Sequence, residues 1–249
     1  MPSPWIHPDW PAPRNVHAMV TTRHGPGVSA PPRERLNLGL NSGDAPEVVR
    51  NNRRALEQAL DLPSAPRWLR QVHGTTVAEL GPLGTGDEPC ADAAMSRIPG
   101  TVLAILTADC LPVLLCRRDG RAIAAAHAGW RGLAAGIIEA TLQTLATPGD
   151  EVLAWLGPCI GAASYEVDSV VRDAFLEADT ESDQAFSFSR PGHWFCSLET
   201  LARRRLCKAG VSRIFGGGFD TFADPRFYSW RRDGSNSGRF ASLIMLQPD

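Results

Sequence analysis

The chain has 249 residues, 43% of them hydrophobic, with 25 Lys and Arg against 27 Asp and Glu. That length and apolar content suffice for one substantial core, so a single domain over 1–249 is expected. The balanced charge offers no field that would concentrate nucleic acid or an acidic membrane surface, and no apolar run reaches the roughly 18 residues of a membrane span.

The opening MPSPWIHPDWPAP lacks the basic start, apolar block and small-residue cleavage site of a secretory signal, which points to a cytoplasmic protein. Pro- and Gly-rich patches at 24–33, 81–90 and 216–218 are too short for linkers and read as loops. A first helix is marked by Asp44 as N-cap, Glu47 three residues on, and an apolar face of Val48, Leu56, Ala59 and Leu60. Apolar runs at 101–107, 112–116 and 122–126, bounded by polar or turn residues, predict buried strands. Beyond His127, AGWRG leads into LAAGIIEATLQTLA, where Leu133, Ile137, Ile138, Leu142 and Leu145 repeat at helical spacing. A strand at 152–156 ends in GPCIG, Asp168 and Ser197 predict the N-caps of two further helices, and Gly210 the close of the second. RFYSWRR and RFASLIML predict two strands joined by DGSNSG. Strands and helices mixed without regular alternation predict an α+β layered domain rather than a doubly wound sheet. Six cysteines spread over the chain without an export signal fit reduced thiols better than a disulfide framework.

Three ligand-type residues fall just after predicted strands: His73 in WLRQVHG, Cys110 in TVLAILTADCLP and His127 in AIAAAHAGWRG. Two imidazoles and a thiolate suit zinc, and three protein ligands leave a fourth position open, as in catalytic sites. Taken singly, each has a plainer reading, as a buried thiol or a hydrogen-bonded loop histidine. Cys110 as a nucleophile activated by His127 uses the same two residues for a hydrolase.

The segments LRQVHG, TADCLPVLL, AAAHAGWRG, LGPCIG and FYSWRRDGSNSGR, in this order, resemble the YfiH family, also described as multicopper polyphenol oxidase or laccase domain proteins. TTRHGPGVSAPPRERLNLGLNSGD followed by NNRRAL resembles its N-terminal motif, so the likeness spans nearly the whole chain. The resemblance implies a four-layer α/β/β/α sandwich with mixed sheets and a Zn2+ site at the residues matching His73, Cys110 and His127. It also implies purine nucleosides and phosphate as partners: phosphorolysis of adenosine, guanosine, inosine and 5′-methylthioadenosine, together with adenosine deamination. One departure stands out, because family members often carry Cys-Thr before the FYSWRR-like segment and this chain has Asp220 and Thr221.

For the phosphate, Arg131 is the first candidate, since it precedes a helix start near Leu133 where backbone donors favour anions. Arg23 and Arg231 follow it, each also readable as a solvated surface arginine. Asp109, beside Cys110, suits a proton acceptor or a partner for a liganding histidine, or equally a strand-end cap. Asn37 and Gln71 suit recognition of base or ribose, or the bracing of loops. Two other activities remain open: copper-dependent polyphenol oxidation, and a Cys/His amidase acting on a peptidoglycan precursor. The chain has six histidines, none two apart, which is few for a Cu2+ cluster. A cytidine-deaminase motif and a dinucleotide-binding fingerprint are both missing. Monomer and homodimer are both compatible with the sequence.

Overall fold

The strands of this protein separate their side chains between two faces, and in a computed structural model that separation builds three buried clusters between four layers. Residues 3–84 and 87–247 are described; positions 85 and 86 of the predicted 81–90 loop lie outside them, as do 1, 2, 248 and 249. In chain order, the first half contains β1 (Trp5–Ile6), β2 (Val16–Thr21), α1 (Pro46–Leu60), β3 (Val77–Glu79), β4 (Ala93–Ser96), β5 (Val102–Thr107), β6 (Leu111–Arg117) and β7 (Ile123–Ala128). There follow α2 (Trp130–Ala135), α3 (Ile137–Leu145), β8 (Val152–Leu156), β9 (Glu166–Asp168), α4 (Ser169–Leu176), β10 (Phe186–Arg190) and β11 (His193–Cys196). The last are α5 (Leu198–Lys208), β12 (Arg213–Gly216), α6 (Trp230–Asp233) and β13 (Phe240–Leu246).

A four-stranded antiparallel sheet has the order β1-β2-β13-β5, and a six-stranded mixed sheet the order β12-β8-β6-β7-β4-β3. In the latter, β12 with β8 and β3 with β4 are the parallel pairs. Between the two sheets lie Leu103, Ile105, Phe240 and Ile244 from one and Leu114, Ile123, Leu153 and Trp155 from the other. The alternate residues of the four-stranded sheet, Val102, Ala104, Ala241 and Leu243, face Leu56 of α1. Those of the six-stranded sheet, Val113, Leu115, Ala124, Ala126 and Ala154, face Leu133, Ile138, Phe175 and Leu201 from the helices. This is the expected α/β/β/α arrangement, produced by the two-residue period of β-strands. A small sheet, β10-β11-β9, lies beside it.

Several local expectations are corrected. The N-cap of α1 is Ala45, followed by Pro46 at the first helical position; Asp44 instead accepts from Ser29 Oγ and Asn37 Nδ2. The buried face of α1 is Val49, Asn52, Arg53 and Leu56, with Ala59 exposed, because Asn52 and Arg53 donate to the carbonyls of Asn37 and Leu38. The helix beyond His127 starts at Trp130 and breaks at Gly136, where φ is +98°. RFYSWRR is not a strand: Phe227 and Tyr228 plunge into the core, and Ser229 caps α6 by accepting from Arg232 N at 3.2 Å. The remaining caps are as expected: Asp168 accepts from Val171 N, Ser197 from Thr200 N, and Gly210 (φ +84°) follows the end of α5. All six cysteines are free thiols. Among the described residues no helix is long and apolar enough to cross a membrane.

Candidate metal centre

The pairing of β6 with β7 sets Pro112 opposite His127, and β4 pairs with β7 so that Ala93 faces Ala126. Cys110, just ahead of β6, and Asp92, just ahead of β4, therefore flank His127 from either side. His127 lies within β7 rather than after it, and its backbone N–H donates to Asp92 O at 2.7 Å. The fully buried Asp92 carboxylate accepts His127 Nδ1 at 2.9 Å and the amides of Val72, His73 and Gly74 at 3.2, 2.8 and 2.7 Å. One carboxylate thus fixes the proton of His127 on Nδ1, leaving the Nε2 lone pair free, and holds the His73 loop in place. His73 follows no strand; residues 67 and 70 make only isolated bridges, and its φ of +62° is imposed by the loop.

Cys110 Sγ lies 3.8 Å from His73 Nε2, the two imidazole centroids are 4.7 Å apart, and the three donor atoms fall within 4.8 Å of one another. A tetrahedral zinc with bonds near 2.0 and 2.3 Å needs sulfur–nitrogen edges of roughly 3.5 Å, so this donor set fits a metal ion with little movement. It is the one such cluster among the described residues. The glycines of AGWRG make room for it. A Cβ on Gly129 would sit 2.8 Å from His73 Cδ2 and 3.0 Å from Cys110 Sγ, and one on Gly132 would sit 2.9 Å from Gly74 O.

Burial alone would push the Cys110 thiol up, but the positive His127 beside it and hydrogen bonds from both histidines outweigh burial and bring it down to about 6. His127 is the mirror case: burial lowers it, while Cys110 and Asp92 raise it to about 9. Without a metal the two shifts favour the charged form of each partner, and a metal on Cys110 and His127 takes the place of the proton.

The donors open onto a cavity of about 530 Å³, within the range of small-molecule sites. Arg131 lines it, inside the first turn of α2 and over the Trp130 ring at 4.5 Å. Arg231 also lines it, donating to Glu166 O at 3.1 Å through both terminal nitrogens. Asp109 reaches it too, but its carboxylate contacts neither histidine; it accepts from Thr221 Oγ1 at 2.7 Å and Arg231 N at 2.6 Å. Gln71 lines the wall with its amide paired to both backbone groups of Leu106. Asn37 and Arg23 lie off the cavity. Asn37 is fully buried and bonded to Ser42, Asp44, Gly39 and Arg239, and Arg23 is paired with Glu34 and the Pro32 carbonyl. Asp220, at the departure from the family pattern, ties down the preceding loop through Gly161 N and Ser164 Oγ.

Sequence reasoning missed Asp92, Gly129, Arg53 and Arg239. Asp92 had a signal, a carboxylate opening an otherwise apolar strand in CADAAMS. Nothing in FYSWRRDGSNSGR tells which arginine faces the cavity: Arg231 and Arg239 line it, whereas Arg232 is spent on Asp233 and three carbonyls.

The family described as multi-copper polyphenol oxidoreductase laccase matches residues 17–247. A purine nucleoside phosphorylase of Pseudomonas aeruginosa is 53% identical over 245 residues, 98% of either chain. The purine nucleoside phosphorylase YfiH of Escherichia coli K12 is 47% identical over 97% of this chain and 98% of its own. Among solved structures, a Neisseria meningitidis protein superposes with a TM-score of 0.93 at 43% identity, over 99% of this chain and 100% of its own. YlmD from Geobacillus stearothermophilus gives 0.92 at 30% identity, over 100% and 98%.

Proposed function

The chain belongs to the multi-copper polyphenol oxidoreductase laccase family, and on that premise we propose that it is a zinc-dependent purine nucleoside phosphorylase that also deaminates adenosine. Its substrates are adenosine, guanosine, inosine and 5′-methylthioadenosine. The observation that carries this reading is a three-donor site, His73, Cys110 and His127, opening onto a cavity lined by arginines. A nucleoside phosphorylase needs a place for a phosphate dianion beside C1′ of the ribose and a means of stabilising the departing base. Arg131 has no carboxylate partner among the described residues and stacks on Trp130, so its charge is available to phosphate; Arg231 shares the task. Asp109 positions Arg231 through the backbone amide and is itself occupied by Thr221. Zinc bound by the three donors would supply a Lewis acid at the cavity wall. For deamination, the same cavity admits the adenine amino group, and Asp92 holds His127 in the orientation its role requires.

A multicopper oxidase is disfavoured because the described residues hold a single donor cluster. One observation does support a second reading. Cys110, His127 and Asp92 stand in a chain, with the Cys110 and His127 donor atoms within 4.8 Å and His127 Nδ1 2.9 Å from the Asp92 carboxylate, the makings of a cysteine amidase, for which a peptidoglycan precursor is a candidate substrate. Metal content and phosphate-dependent base release from inosine and adenosine, for wild type and Cys110→Ala, separate the two. About one zinc per chain, with base release that needs phosphate and is lost together with zinc in the variant, supports the phosphorylase. Protein that takes up no metal, releases no base and is readily alkylated at Cys110 overturns it in favour of the amidase.

A further inference from the structure

Four arginines line the cavity, two from elements packed on each of the two large sheets. On the side of the six-stranded sheet, Arg131 lies over Trp130 at 4.5 Å and Arg231 over Tyr165 at 5.2 Å. On the side of the four-stranded sheet, Arg53 of α1 lies over Trp68 at 4.2 Å, and Arg239, just ahead of β13, over Trp230 at 5.5 Å. All four line the cavity. Stacking on an aromatic face fixes a guanidinium plane without neutralising it. Among the described residues, Arg53 alone of the four pairs with a carboxylate, Glu88 at 2.7 Å.

The second pair is firmly built. The stem of Arg239 packs on Gly39, where a Cβ would come within 2.6 Å of Arg239 Cγ. Its Nη1 donates to the carbonyls of Ser237 and Gly238 at 3.0 and 2.8 Å, and no protein acceptor among the described residues meets its Nε or Nη2. Arg53 is 8% exposed; its Nε donates to Leu38 O at 3.0 Å, while its buried Nη2 has no partner. Leu38 joins the two, since its own N–H donates to Arg239 O at 3.0 Å. A buried guanidinium N–H left unmatched, as on Arg53 Nη2, is costly, and a bound anion removes that cost.

Phosphorolysis of a neutral nucleoside needs one anion subsite, for inorganic phosphate at C1′. Resting on the phosphorylase reading, with that phosphate on Arg131 and Arg231, we propose that Arg239 and Arg53 form a second anion subsite. It takes the phosphomonoester of a purine nucleoside 5′-phosphate. The 5′ oxygen is carried outside the ribose ring, on the far side of the ring oxygen from C1′. A substrate that meets inorganic phosphate at one wall therefore presents its own phosphate to the other. An oxygen of inorganic phosphate bonds to C1′ as the C1′–N9 bond breaks. The electron pair stays on the base, which takes up at nitrogen the proton that the attacking hydrogen phosphate gives up, and the sugar departs as ribose 1,5-bisphosphate.

The test compares phosphate-dependent base release by the full zinc-loaded chain from inosine and adenosine with that from their 5′-monophosphates. A charge-assisted contact to the ester is expected to favour the 5′-monophosphate in kcat/KM by about 10- to 100-fold, and Arg239→Gln should bring that ratio close to one. Equal or better use of the neutral nucleoside by wild type overturns the subsite, and so does a ratio unchanged in Arg239→Gln. Should none of the four release base, the phosphorylase reading fails separately, and calorimetry of 5′-AMP against adenosine decides the subsite. Binding of 5′-AMP tighter by ten-fold or more and weakened in Arg239→Gln supports it, and equal binding overturns it.

Discussion

At the scale of single residues, the site is a part-exposed thiol beside a buried histidine that one carboxylate holds. His127 and hydrogen bonding bring the Cys110 thiol down to about 6 against the opposing effect of burial, so the thiolate persists above that pH and is lost as pH falls through it. In chelator-treated protein, the rate of Cys110 alkylation should be half-maximal near pH 6 and flat above about pH 7. Burial alone holds Cys116 and Cys196 up at about 12, and they should stay unmodified while the fold is intact. A midpoint near 8.5, the value of an ordinary thiol, would remove the charge pair. Gly129 gives a second residue-scale prediction. Its missing Cβ is the space that His73 and Cys110 occupy, so Gly129→Ala should weaken metal affinity by about 10- to 100-fold, the penalty usual for disturbing ligand support. Competition with a chromophoric chelator measures it, and unchanged affinity would mean that the ligand loop can retreat freely. That His73, Cys110 and His127 come together was legible because His and Cys are uncommon beside apolar runs. Asp92 gave a weaker signal, a lone carboxylate ahead of an apolar strand, whose role shows only once its four donors are seen.

At the scale of elements, apolar spacing located the strands from β5 to β8 and the helical stretch after His127, yet it passed over Gly136. Leu133 and Ile137 keep the i, i+4 relation across the break, so a periodic reading continues the helix through it. The backbone instead takes φ +98° there and turns α3 onto β7 and β4 while α2 closes over the His73 loop. A Cβ at position 136 would meet Glu139 Oε2 at 3.5 Å, an ordinary contact. The cost of Gly136→Ala is therefore conformational, about 1 to 2 kcal/mol for a non-glycine residue held left-handed. Urea denaturation should show a lower midpoint with an unchanged slope; a more stable variant would mean that one continuous helix is tolerated. RFYSWRR misled for a related reason. Its alternating aromatics fit a strand, but Phe227 and Tyr228 are both buried, and Ser229 starts a helix by capping it. Local capping chemistry overrode the two-residue period.

At the scale of the whole molecule, the layers explain why the central strands carried little alternation to read. β6, β7 and β8 are covered on both faces, by the other sheet and by helices, so both faces are apolar and the pattern becomes a continuous run. Periodicity could predict buried strands there but not two stacked sheets; the four layers followed from the resemblance of the motifs. The site depends on that stacking, because Arg53 and Arg239 come from one side and Arg131 and Arg231 from the other. Trp155 of β8 is the largest side chain sealed between the sheets, 2% exposed and edge-on to Phe219 at 6.3 Å. Trp155→Ala should cost about 3 to 5 kcal/mol, as expected for a large aromatic removed from a packed core. If the layers form one cooperative unit, far-UV circular dichroism and amide exchange in β13 and β8 should report the same lowered midpoint. A variant in which β13 keeps its protection while β8 loses it would show that the two sheets hold their structure independently, and the cavity between their arginines would then be the first feature lost.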